Sequence, residues 1–119
     1  MTDIDAEGAA REAQRLSDKG WEARWTGCDV SNLDEVARAF DAHVKAYGGC
    51  DIAFANAGLD VGGGFWTPDD RRNPEGQIDV YPKSSWDKSI AINLTGVFHT
   101  VREAARVMKA NEGHGGRRG

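Results

Sequence analysis

The chain has 119 residues and a mass of 12.9 kDa, which is enough for one small domain. A charged content of 29% is typical of a soluble globular protein, and the net charge of -4 argues against nucleic acid as a partner. No stretch approaches the roughly 18 apolar residues of a membrane span. Cys28 and Cys50 match no metal-ligand spacing, so we expect free thiols in a reducing cytoplasm and no metal site.

The first half of the chain predicts alternating helices and strands. Residues 6–19 have the composition of a helix, and Gly20 is its expected stop. Residues 21–28 begin with the apolar-polar alternation of a strand. Ser31 opens a Ser-x-x-Asp capping signature for a second helix, which Gly48-Gly49 should end.

The stretch Asp51-Ile-Ala-Phe-Ala-Asn-Ala-Gly58 comes next. The apolar run 52–55 is long enough for a strand that is buried on both faces. The small residues that follow it let a ligand approach the backbone closely, and in open α/β sheets ligands sit beyond the carboxyl ends of the strands. The order strand, helix, strand with short connections predicts a parallel sheet.

Beyond Gly58 the sequence predicts a long loop, a long helix and a tail. Residues 60–83 are rich in Gly, Pro, Asp and Arg, and a loop of this length is usually functional or disordered. Ser84 should cap the helix over residues 84–110, whose apolar stripe keeps the 3.6-residue period for about six turns. Asn93 lies on that stripe, where a polar side chain facing a core needs hydrogen-bond partners. Residues 111–119 read as a disordered tail.

Each polar candidate has a structural explanation when it is taken alone. Asn93 fits a buried structural asparagine. Asp29 fits a helix-start residue, and Asp3 fits a surface acid. Taken together, however, Asp29-Val30, Asn56-Ala57-Gly58 and Asn93 in its Ile-Asn-Leu-Thr-Gly-Val-Phe context resemble the short-chain dehydrogenase/reductase family. The resemblance extends from residue 2 to about residue 111.

The resemblance implies an α/β fold with a partial, Rossmann-like, doubly wound parallel sheet in residues 1–110. It also implies an NAD(P)-dependent oxidoreductase that interconverts a small alcohol and a carbonyl by hydride transfer. It assigns cofactor contacts to six residues: Asp3, Asp29, Val30, Asn56, Ala57 and Gly58.

The resemblance gives these residues different roles. Asp29 and Val30 touch the adenine, and the turn 56–58 lies along the cofactor. Asp3 binds the ribose hydroxyls, which favours NAD over NADP. Asn93 is the one catalytic candidate, because it would hold a water in the proton relay.

The sequence also departs from the family pattern. The family's Gly-rich loop and its Ser and Tyr-x-x-x-Lys residues do not occur in these 119 residues. We therefore expect the isolated chain to be inactive, and a premature end or shifted reading frame is one hypothesis for the tail.

Two functional classes stay open. One is a segment of such an oxidoreductase, and the other is a non-catalytic nucleotide-binding or dimerisation module. The family often pairs subunits through the helix that matches residues 84–110, which implies a homo-oligomer. A nucleic-acid contact by the Gly-Gly-Arg-Arg-Gly tail is weaker, because two charges weigh little against an acidic chain.

Overall fold

The computed structural model describes residues 1–60 and 63–111. Its elements, in chain order, are β1 (Thr2–Asp3), α1 (Ala6–Ser17), β2 (Thr26–Gly27), α2 (Leu33–Tyr47), a short 3-10 helix (Pro74–Gly76), α3 (Lys83–Ile90), a π-helical segment (Ala91–Gly96) and α4 (Val97–Met108). The last three form one continuous helix. The predicted α/β class is confirmed, in the form of an incomplete Rossmann-like fold.

The sheet of the described chain has two parallel strands. Thr2 pairs with Thr26 and Asp3 with Gly27, and the Cys28 N–H extends the ladder by donating to the Asp3 carbonyl at 2.9 Å. Helix α1 connects the strands and packs on both of them. Its buried face consists of alanines, so the helix lies close to the strands.

The helix ends follow local chemistry. Asp5 caps the start of helix α1, because its Oδ1 accepts the Gly8 N–H at 3.0 Å. The predicted stop signals are confirmed, because Gly20 and Gly48 both adopt left-handed angles, with φ of 87° and 84°. The predicted cap of α2 is wrong: Asn32, not Ser31, accepts the first free N–H groups of that helix.

The prediction of a buried strand over residues 52–55 is also wrong for the described chain. These residues join no β-ladder, and Ile52 and Phe54 are 87% and 85% exposed. A strand is buried only when neighbouring strands pair with it and helices cover both faces, and the described residues supply neither here. For the same reason residues 21–25 lie outside β2, and Trp21 and Trp25 are exposed.

The continuous last helix differs from its prediction in two ways. It begins at Lys83 without a side-chain cap, and the Lys83 ammonium instead forms an ion pair with Asp87 at 2.6 Å, one turn further on. In its middle, the backbone widens into the π-helical segment, which the regular apolar period did not predict. The predicted loop 60–83 contains a bridge between Trp66 and Arg72 as well as the 3-10 helix.

Helix α4 packs against α2 through a small apolar patch and a charged network. Val36 of α2 and Val107 of α4 are buried there. Glu103 is buried too, and Arg106 donates to its carboxylate and to Asp41 of α2, at 2.5 and 2.7 Å. A buried carboxylate needs such partners, so this network ties the two helices together.

Much apolar surface nevertheless stays exposed. The apolar stripe of the last helix is largely exposed at Trp86, Leu94 and Val101, and Phe98 of the same helix is largely exposed too. Within the described ranges, no helix combines the length and apolarity that a membrane crossing requires.

We expect the purified 119-residue chain to be marginally stable and to self-associate, because exposed apolar side chains and unpaired backbone groups favour intermolecular contacts. Circular dichroism should record a broad melt whose midpoint depends on protein concentration. Helical signal should persist better than near-ultraviolet signal from packed aromatic residues. A sharp, concentration-independent melt of a dilute monomer would contradict this expectation.

Candidate functional site

The carboxyl ends of both strands bring three of the predicted residues to one edge of the sheet. Asp3 ends β1, while Asp29 and Val30 follow β2 directly after Cys28. Since β1 and β2 run parallel, these residues lie at the same edge. The exposed Asp3 carboxylate accepts the Asp5 N–H at 2.9 Å through Oδ1.

The Asp29 carboxylate is fixed by Ser31. Its Oδ1 accepts the Ser31 hydroxyl at 2.7 Å and the Ser31 N–H at 2.9 Å, and the Asp29 N–H donates to Glu35 at 2.8 Å. These two hydrogen bonds from Ser31 hold the pKa of Asp29 below its usual value, and the bond from the hydroxyl has the larger effect. Asp29 is therefore ionised at neutral pH, and its Oδ2 forms no hydrogen bond with the described residues.

Val30 is held by the continuous last helix. Its carbonyl accepts a hydrogen bond from His99 Nδ1 at 2.9 Å, which requires the tautomer that carries the proton on Nδ1. The helix approaches so closely that a Cβ on Gly96 would lie 2.6 Å from Val30 Cγ2. The Val30 N–H, by contrast, has no acceptor within residues 1–60 and 63–111. Residues 29 and 30 thus leave one acceptor and one donor uncommitted.

The predicted turn Asn56-Ala57-Gly58 is tied to the same helix by Asn93. Asn93 Oδ1 accepts the Leu59 N–H at 2.9 Å, and its Nδ2 donates to the Leu59 carbonyl at 2.8 Å. A Cβ on Gly58 would lie 3.2 Å from Asn93 Oδ1, so a larger residue there would crowd this pair of bonds. The expectation that Asn93 faces a core is wrong, since its side chain is exposed.

The π-helical segment carries Asn93. Such segments are rare and are often found at functional sites, because the extra residue changes the direction of neighbouring side chains. The predicted site residues therefore fall into two groups. Asp3, Asp29 and Val30 lie at the sheet edge, whereas the turn 56–58 and Asn93 are joined through Leu59.

Asn111 is a residue that the sequence did not identify. Its Nδ2 donates to the Cys50 carbonyl at 2.6 Å, and its Oδ1 accepts the Cys50 N–H at 3.2 Å. The predicted tail begins at this residue, and residues 112–119 lie outside the described part. No local sequence pattern indicates this contact, because Cys50 lies 61 residues before Asn111.

The two cysteines are free and buried. Burial raises the pKa of both thiols, and nearby carboxylates act in the same direction. No three His, Cys, Asp or Glu side chains come together as metal ligands anywhere in residues 1–60 and 63–111.

Comparison with known proteins gives a consistent result. A family model described as short chain dehydrogenase matches residues 1–117. The chain is 35% identical over 100 residues to 3beta-hydroxysteroid dehydrogenase 1 of Eggerthella lenta, covering 84% of this chain and 33% of that protein. It is 34% identical over 105 residues to cis-4-hydroxycyclohexanecarboxylate dehydrogenase of Sinomonas cyclohexanicum, covering 88% and 37%. The chain thus spans about a third of the length of these relatives.

Solved structures agree. NAD⁺-bound xylitol dehydrogenase superposes with a TM-score of 0.77 at 28% identity, over 92% of this chain and 37% of that one. A gluconate 5-dehydrogenase from Burkholderia cenocepacia, in complex with NADP and tartrate, gives a TM-score of 0.72 at 31% identity, over 92% and 38%.

We predict that Ser31→Ala raises the pKa of Asp29 toward its ordinary value, because it removes the main hydrogen bond to the carboxylate. The carboxyl carbon shift in an NMR titration measures this change, and Ser31→Thr, which keeps the hydroxyl, is the control. A lowered folded-state pKa contributes stability above the unfolded pKa, and this contribution is lost as the pH falls through the folded value. Ser31→Ala should therefore weaken the acid dependence of stability. An unshifted titration would contradict the assigned cause.

Proposed function

The chain belongs to the short-chain dehydrogenase family, and from that premise we propose that its residues form the adenosine side of the cofactor site in an NAD(P)-dependent oxidoreductase. In the intact enzyme, an alcohol and a carbonyl would be interconverted by hydride transfer. The observation that carries the proposal is the uncommitted pair at the sheet edge, Asp29 Oδ2 and the Val30 N–H.

This pair is complementary to adenine. The base presents an amino donor beside a ring-nitrogen acceptor on one edge. An ionised carboxylate only accepts, and a backbone N–H only donates, so Asp29 would receive the amino hydrogen while Val30 donates to the ring nitrogen. Asp29 is ionised near neutral pH, as this role requires, and its lowered pKa extends the ionised state to more acidic pH.

Asp3 would bind the adenosine ribose. A carboxylate at the end of this strand can accept hydrogen bonds from the ribose hydroxyls, and it would repel a 2′-phosphate. Asp3 is placed at the same edge as Asp29, at the end of the neighbouring strand. We therefore assign NAD as the preferred cofactor, with NADP disfavoured. The solved relatives include one with NAD⁺ and one with NADP, so family membership alone does not set this preference.

The turn 56–58 and Asn93 would serve the reacting end of the site. Both atoms of the Asn93 amide already bind Leu59, yet Nδ2 keeps a second hydrogen and Oδ1 a second lone pair. These groups could hold the water of a proton relay. An asparagine does not titrate, so it positions the water and does not replace a catalytic acid or base. Neither Tyr47 nor Tyr81 is followed four residues later by Lys.

A second role concerns subunit association. Four large apolar side chains of the continuous last helix are mostly exposed, which is typical of a surface that another chain covers. We propose that this helix pairs copies of the protein into a homo-oligomer. A non-catalytic module would need only this face and the nucleotide contacts.

The adenine assignment can be tested by exchanging one atom. Asp29→Asn keeps an acceptor for Ser31 but replaces Oδ2 by an amino group, which opposes the adenine amino group. The affinity for ADP-ribose, measured by NMR titration, should fall by about tenfold, as expected for a lost charged hydrogen bond. Nicotinamide mononucleotide should bind unchanged. Asp34→Asn, at the exposed start of α2, is the matched control.

Wild-type affinity of the 119-residue chain should be weak, with Kd in the millimolar range, on the order of -4 kcal/mol. The chain alone should not turn over NADH with a panel of carbonyl compounds. Equal losses for ADP-ribose and nicotinamide mononucleotide in Asp29→Asn would contradict the adenine assignment.

Cofactor preference is tested at Asp3. Asp3→Ala should reduce the ratio of NAD to NADP affinity, because it removes the charge that would repel the 2′-phosphate and the acceptor for the ribose hydroxyls. Glu7→Ala, an exposed acid in the first turn of α1, should leave the ratio unchanged. An unaltered ratio in Asp3→Ala would overturn the assignment of Asp3 to the ribose.

A further inference from the structure

Two asparagines bind the chain segment 50–59 at its two ends in the same way. Asn111 pairs with both backbone groups of Cys50, and Asn93 pairs with both backbone groups of Leu59. A glycine precedes each bound residue, and a Cβ on it would approach the asparagine Oδ1, to 2.8 Å at Gly49 and 3.2 Å at Gly58. The same arrangement, a glycine followed by a residue whose N–H and C=O both bind one asparagine, thus occurs twice.

In this arrangement the asparagine side chain takes the place of a neighbouring strand. A side-chain amide offers one donor and one acceptor side by side, as a peptide group does. Each asparagine can therefore satisfy the N–H and C=O of one residue, as an antiparallel neighbour would. Among the described residues, the segment between these two points joins no ladder, so the asparagines supply its end contacts.

The two bound points are separated by matching lengths. Leu59 lies nine positions after Cys50, and nine extended residue steps span about 30 Å. Asn111 lies eighteen positions after Asn93, and the sixteen helical residues 93–108 rise about 24 Å at 1.5 Å per residue. The segment is shorter than a fully extended chain, because the Asn56 N–H donates to the Phe54 carbonyl at 2.9 Å in a tight turn. The last helix thus has a length similar to that of the segment and runs in the opposite direction.

We propose that Asn111 is a positioning residue. Together with Asn93, it sets the extension and register of segment 50–59, and so fixes where the turn 56–58 stands. The link from this turn to cofactor binding rests on the function proposed above, whereas the mechanical role of Asn111 does not. If Asn111 no longer binds Cys50, segment 50–59 can shift. This movement should weaken the contact between Leu59 and Asn93 at its other end.

The test is the solvent exchange of single backbone amides, measured by NMR on the ligand-free 119-residue chain. Asn111→Ala should speed exchange at Cys50 by about tenfold, the size expected for lost hydrogen bonds, and should also speed exchange at Leu59. Lys109→Ala, an exposed neighbour, should change neither. Gly49→Ala, which crowds Asn111 from the other side, should reproduce the effect.

An isosteric variant separates hydrogen bonding from packing. Asn111→Asp keeps the shape and the acceptor but replaces the donor by an oxygen facing the Cys50 carbonyl, so exchange at Cys50 and Leu59 should be at least as fast as in Asn111→Ala. Wild-type exchange at Leu59 in both Asn111 variants would overturn the proposal. Equal acceleration of the α1 amides would overturn it too, because Asn111 would then support general stability.

Cofactor affinity provides the link to function. ADP-ribose should keep its wild-type affinity in Asn111→Ala, because its contacts lie at the sheet edge, while NADH should bind more weakly. If wild-type chain binds neither ligand, the proposed cofactor site fails, but the exchange rates still decide the role of Asn111.

Discussion

Backbone hydrogen bonding to side-chain amides is the constraint on which the described arrangement depends. Segment 50–59 carries the turn that we propose lies along the cofactor, yet it has no strand partner among the described residues. Unpaired backbone groups cost free energy when they are buried away from water. When they stay exposed to water, the segment that carries them can move freely. The amides of Asn93 and Asn111 pair with the two end residues, and they connect the segment to the last helix and to the residues just after its end.

The same helix also positions Val30 at the carboxyl ends of the strands. Gly96 allows it to approach Val30 closely, and His99 binds the Val30 carbonyl. Its continuation α4 is joined to α2 by the charged network around Arg106. One helix therefore contacts the residues after β2, the turn beyond residue 55 and the second helix. Distances between the two groups of site residues depend on its geometry, including the π-helical segment.

The buried interior that stabilises these contacts is small. Among the described residues, its side chains are those of alanines, cysteines and valines, together with Glu103, and no large side chain there is fully buried. Small residues permit close packing but contribute little apolar area each, at about 25 cal/mol per Å². Meanwhile large apolar side chains remain exposed on the last helix and on residues 52–54. We therefore expect a small free energy of unfolding, of which local contacts such as the asparagine pairs contribute a large fraction.

The sequence by itself determined the class of fold, the first two helices with their glycine stops, and the residues that a family resemblance assigns to the cofactor. These features follow from local chemistry: Gly20 and Gly48 adopt left-handed angles that other residues resist, and helical periodicity extends over many positions. Only the tertiary structure decided that residues 52–55 lie outside the sheet, that Asn93 binds Leu59 and that Asn111 binds Cys50. Pairing and burial depend on partners distant in sequence, and no local pattern specifies whether a partner 34 or 61 residues away is within reach.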